Sequence, residues 1–373
     1  MNLKGSITSL VLIIALLLSG CGIEAKTADS ITGAGDAYSI VDKEGTPGNI
    51  SDEDSDPDSG DAAHDSSEQE VTEPLPSASE EMYQFNPHVY SPMLSKYYSQ
   101  EWWDSFYSLC DALREGRDTF ECVSQEAYDW CMDDVTLADL FPPACVVIKR
   151  ESNDGTVPFE NGIGRIYYGI SPEEYIVRQA GFEAMIVEIL NSVLEPDDTD
   201  FEKCMKLYAY MESTYTYGNI EFSGDGYTYA TLLHKKGVCE NLSGVYVYLL
   251  LQVGVDALNI GCFNEIQHAW TYVLLDGEGY HIDPTWGLHD EGDPLILTYF
   301  LNSERVRNDQ GVPTDDLTAG MVPRFWLSFT ETVLPATSEK YACLQGATFV
   351  SLDEENKILY YEDDMGTHAL QYE

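Results

Sequence analysis

Basic residues are scarce in this chain of 373 residues. It has 19 Lys and Arg against 65 Asp and Glu, a formal net charge of −46. Phosphate contacts need clustered cations, so nucleic acid is excluded as a partner. Anionic lipid headgroups would repel the chain for the same reason. Cysteine is also sparse: nine residues are too few for a scaffold built on disulfides. No paired Cys-x-x-Cys or His-x-x-x-His spacing occurs, so no metal site is expected, and no cofactor motif is present. No repeat of fixed period is visible. The apolar run Leu10–Leu18 has nine residues, short of the roughly 20 that span a bilayer.

That run follows Lys4 and leads directly into Leu18-Ser19-Gly20-Cys21. A positive start and a short apolar stretch fit a secretory signal peptide over residues 1–20. The four residues resemble the lipobox of bacterial lipoproteins. The resemblance implies that Cys21 is lipidated and becomes the new N-terminus. The expected location is therefore the cell membrane, lipid-anchored and facing the extracellular side. From Gly22 to Glu80 there are 16 acidic and 2 basic residues, and Tyr38 is the only aromatic. Such a stretch cannot bury enough apolar area to offset its ordering entropy, so 21–80 is read as a disordered, self-repelling tether.

Beyond residue 80 the material changes. Hydrophobic residues make up 44% and aromatics 12% of the whole chain, enough for a sizeable core. Residues 81–195 read as a mainly helical extension. Trp103, Phe106, Tyr107, Cys110 and Leu113 have helical spacing up to Gly116. Ser171-Pro172-Glu173-Glu174 supplies an N-cap, a Pro at the first helical position and a Glu at the third. Ile176, Ala180, Met185, Ile189 and Val193 are its expected apolar face. Thr199 and Glu202 repeat the capping pattern ahead of Phe201, Met205, Tyr208 and Met211. Ile163–Ile170 reads as a strand. Residues 311–373 read as a β-rich extension ending in a hairpin, Ala347–Leu352 and Ile358–Glu362.

The stretch from Lys235 to Asp290 carries the chemistry. After Gly237-Val238-Cys239-Glu240, the residues Leu242, Val245, Tyr246, Leu249, Leu250 and Val253 form one buried helical stripe, stopped by Gly254. Cys239 therefore opens a buried helix. Free backbone N–H groups there favour a thiolate and can receive an oxyanion. His268 to Leu275 alternates as a strand, Asp276-Gly277 signals a two-residue turn, and Tyr280 to Trp286 returns. With that turn Leu275 pairs with Glu278, and His268 and Asp283 share one face, offset diagonally by two residues. His281 shares that face and is a second candidate base. A thiol, a base and a carboxylate that orients the base are what acyl transfer through a thioester requires.

GVCE, HAW and HIDPTWG resemble the three motifs of the transglutaminase-like superfamily. YATLLHKKGVC upstream and TYFLNSERV downstream resemble its flanking segments, so the likeness covers roughly 196 to 308. It implies an α+β, papain-like core over residues 196–310, with the nucleophile at the start of a buried helix packed on an antiparallel sheet. It also implies Cys239 as nucleophile, His268 as base and Asp283 as orienting acid. Trp270 and Trp286 would shape the site, and Tyr229 would support the oxyanion. One departure is Asn241-Leu242, where the family has Gly and an aromatic, which bears on the width of the cleft. The implied activity is a thiol-dependent hydrolase or acyltransferase on peptide or protein amides, with hydrolysis favoured. A catalytically silent module that binds peptides or cell-wall material is the alternative. Residues 81–373 carry 49 acidic and 16 basic residues, so cationic or neutral substrates should be favoured.

Overall fold

A computed structural model of the chain describes residues 83–150, 156–220, 226–262, 266–290, 292–314, 317–319 and 334–373. The signal segment, Cys21 and the acidic stretch lie outside the described residues. The fold is α+β. Its helices are α1 (Gln100–Arg114), α2 (Gln125–Cys131), α3 (Asp134–Leu140), α4 (Pro172–Val193), α5 (Asp200–Thr214), α6 (Tyr227–His234), α7 (Cys239–Gln252) and α8 (Glu304–Asp309). Short strands β1 (Thr119–Glu121), β2 (Ile148–Lys149), β3 (Phe159–Glu160), β4 (Ile163–Arg165) and β5 (Tyr167–Tyr168) lie between α1 and α4. The strand expected over Ile163–Ile170 is thus two pieces. β4 pairs with β1 and β3, whereas β5 pairs with β2.

After α5 come β6 (Thr216–Tyr217), β7 (Lys236–Gly237), β8 (Ala257–Cys262), β9 (His268–Leu275), β10 (Glu278–Ile282) and β11 (Thr318–Ala319). The central sheet runs β10-β9-β8-β11 and its described pairs are antiparallel. β12 (Thr348–Asp353), β13 (Ile358–Asp363) and β14 (Gly366–Gln371) form a separate three-stranded meander. The expected C-terminal hairpin is its first two strands. Among the described residues no helix is long and apolar enough to cross a membrane.

Local chemistry sets the helix ends. Ser171 and Thr199 each form a complete capping box, with Glu174 and Glu202, at the starts of α4 and α5. α4 buries Tyr175, Gln179, Phe182, Ile186, Ile189 and Leu190, a seam rotated from the expected one, while Ile176 is exposed. Phe182 fixes that rotation, since its ring meets Phe85, Tyr229 and Tyr248.

α7 is the hub. Every residue from Asn241 to Gln252 is buried, not just one stripe. It packs on β8 and β9 and against α3, α5 and α6. An element covered on all sides needs apolar residues all round, which Val247, Tyr248 and Leu251 supply. Gly254 ends it at φ 82°, a conformation that suits glycine.

Candidate active site

Three elements converge at the start of α7. Cys239 is its first residue and is partly exposed. Asn259 of β8 donates from Nδ2 to the Glu240 carbonyl at 3.1 Å, tying the first helical turn to the sheet. The departure at Asn241 has a structural use. Its Oδ1 accepts from the Val238 N–H at 3.3 Å, closing the helix entry that precedes the thiol. Valine has no side-chain oxygen to return the bond, so this is half a capping box.

The β9–β10 hairpin has the two-residue turn, with Asp276 at φ 54° and Gly277 at φ 81°. Leu275 pairs with Glu278 and Thr271 with Ile282. The next step along that register sets Asp283 against Trp270, on the side of the sheet that carries His268. His268 Nε2 donates to Asp283 Oδ2 at 2.6 Å, and both side chains are buried. Asp283 takes Nε2, which leaves Nδ1 as the ring nitrogen available to the Cys239 thiol. Burial opposes charge on His268. The bond to Asp283 and the neighbouring Cys239 outweigh it and lift the imidazole to about 9. Burial also acts on Asp283, but His268, Arg307 and the Trp286 N–H together hold it below the usual carboxylate range.

Arg307 was not visible in the sequence pattern. It lies on α8, fully buried, and its Nη2 donates to Asp283 Oδ2 at 2.9 Å. Its guanidinium lies 4.8 Å from the Trp270 ring centre and 5.0 Å from that of Trp286. Asp283 Oδ1 accepts from the N–H groups of Thr285 and Trp286, at 3.1 Å each. Both carboxylate oxygens are thus occupied, which fixes the plane in which the imidazole is held.

The Trp286 ring stacks on His268 with centroids 4.6 Å apart and planes 12° apart. Trp270 lies 5.8 Å from the same ring. Its Nε1 donates to His281 Nδ1 at 3.0 Å. His281 therefore serves Trp270, and burial with the Arg307 charge pushes it down to about 3. It is not a second base. The contacts described for Tyr229 are elsewhere: its ring stacks on Phe182 and carries the Arg178 guanidinium at 3.7 Å.

Six of the remaining cysteines are buried thiols, Cys343 is exposed, and no disulfide joins any described pair. Among the described residues no group of three His, Cys, Asp or Glu is arranged to hold a metal ion.

Cys239, His268 and Asp283 fall in a segment that matches a known family. The model of the Transglutaminase-like superfamily matches residues 187–284, so the chain contains a transglutaminase-like domain. No curated protein matches the chain. A crystal structure of a "Putative Cysteine Protease" from Cytophaga hutchinsonii is similar over 25% of this chain and 33% of that one. The identity is 16% and the TM-score 0.21.

Proposed function

We propose that the chain is a thiol-dependent enzyme acting on amide bonds of peptides or proteins, with hydrolysis as its main outcome. The observation that carries this reading is the His268 imidazole, bonded to Asp283 at 2.6 Å and raised in pKa by the neighbouring Cys239 at the start of α7. A thiolate–imidazolium pair at a helix start has what acyl transfer needs. The Cys239 sulfur attacks the carbonyl carbon, and the oxygen's negative charge falls near the free N–H groups of α7. His268 gives its proton to the departing amine, leaving a thioester on Cys239. Water then attacks that carbonyl, giving its proton to His268, and Cys239 leaves as the thiolate. An amine in place of water would give crosslinking instead.

The acidity of residues 81–373 supports cationic or neutral peptides as substrates. Residues 1–80 support, on sequence grounds, a chain anchored through lipid on Cys21 at the extracellular face. Retention of a Cys21→Ser variant in the membrane fraction would defeat the anchor.

The test is to incubate the protein with a peptide library and read mass changes. Cleavage, deamidation or crosslinking that disappears in Cys239→Ala is the expected result. A folded protein that changes no peptide points to the silent binding module.

A further inference from the structure

A second buried group lies against the turn of the site and takes no part in the chemistry above. Glu212, on α5, is fully buried, and neither carboxyl oxygen has a hydrogen-bond partner among the described residues. The Tyr208 hydroxyl lies alongside, but its proton goes to the Ile296 carbonyl at 3.1 Å. An ionised carboxylate here would lack a donor. Burial outweighs the lowering effect of the neighbouring Tyr208 hydroxyl and, with the charge of Asp283 adding to it, pushes Glu212 up to about 9. The titratable groups around it are Tyr208 on α5, Tyr246 on α7, and Asp283 and His289 on the turn.

Two contacts tie Glu212 to residues 283–289. His289 Nδ1 stands 3.6 Å from Glu212 Oε2 and has no hydrogen-bond partner among the described residues. Gly287 rests directly on the carboxyl. A Cβ added there would lie 1.8 Å from Glu212 Oε1 and 2.3 Å from the Tyr208 hydroxyl. The same turn carries Asp283, and Trp286 with its stack on His268.

We infer that Glu212 is a positioning residue: its carboxyl, by its shape against Gly287, seats the 283–289 turn so that Asp283 and Trp286 hold His268 against Cys239. The inference rests on the proposed role of Cys239.

The test measures alkylation of Cys239 by iodoacetamide against pH in the full chain, with peptide mass mapping to separate it from other thiols. It needs no substrate, so it stands apart from the peptide chemistry. Glu212→Ala and Gly287→Ala should each slow alkylation at pH 7 about tenfold, because a small displacement of a catalytic group is costly. Both should move the pH profile toward that of free cysteine. Glu212→Gln, of nearly the same shape, should keep the wild-type profile. If Glu212→Ala and Gly287→Ala lower Tm but leave the profile unchanged, Glu212 only fills space and the inference is overturned. A Glu212→Gln as slow as Glu212→Ala overturns it too, since charge would then be what matters. Should Glu212→Ala fail to fold, the Gln and Gly287 variants decide. A wild-type Cys239 no faster than free cysteine defeats the proposed function along with this inference, whereas the variant outcomes defeat the inference alone.

Discussion

The β9–β10 hairpin buries a histidine in each of its strands, on the same face, with opposite results. His268 on β9 is lifted to about 9, and His281 on β10 is pushed to about 3. Burial disfavours the cation in both. The difference lies in the neighbours: His268 meets a carboxylate, whereas His281 faces the Arg307 charge, with its Nδ1 lone pair taken by an indole N–H. Burial alone therefore does not say which histidine can do acid–base work; the neighbouring donor or acceptor does.

The sharpest break of that contrast is by activity. His268→Ala should cut turnover on the order of 10⁴-fold, as removing Cys239 should, while His281→Gln should leave the alkylation rate of Cys239 within about twofold. A His281 variant as inactive as the His268 one would erase the distinction. Arg307 bears on both histidines, because it bonds Asp283 and its charge disfavours protonated His281. Arg307→Met should cost about 3–5 kcal/mol by leaving Asp283 short of its buried partner. Denaturant unfolding reads this, and a loss below ~1 kcal/mol would mean that Arg307 is dispensable to Asp283. Next in size is His281→Leu, which orphans the Trp270 N–H and should cost about 1–3 kcal/mol.

The contrast also shows in the pH dependence of stability. The folded value for His268 lies above its unfolded value of about 6.5. Its stabilisation is full below about 6.5 and is lost as pH rises through about 9. His281 is depressed, so its contribution is intact above about 6.5 and is lost as pH falls toward about 3. Thermal melts should show the alkaline slope weakened in His268→Ala and the acid slope weakened in His281→Leu. Identical slopes in wild type and both variants would contradict the assignment of partners.

Much of this geometry was legible in the sequence because it depends on local periodicity. Asp276-Gly277 between alternating strands set the register, and with it the diagonal placement of His268 and Asp283. The apolar spacing after Cys239 located the helix it opens. Arg307 was hidden because a cation on a six-residue helix follows no period, and its partner is 24 residues away. Glu212 left a trace that could be read. It falls four residues after Tyr208, on the buried stripe of α5, where an acid needs a reason to be. The face of α4 was misjudged because apolar residues occur on both sides of it, and only the aromatic neighbours of Phe182 decide between them.

The far end of the described chain carries its own consequence. Tyr372 stacks on Phe201 at 4.2 Å, and its hydroxyl bonds buried Glu202, 170 residues earlier, at the start of α5. Lys357 bonds the same carboxylate at 2.9 Å. During synthesis Glu202 emerges long before either partner, so the base of α5 must wait with its acid uncovered until residue 372 leaves the ribosome. A contact of such separation closes late. The nascent chain can form α7 and the β9–β10 hairpin before Lys357 and Tyr372 reach Glu202.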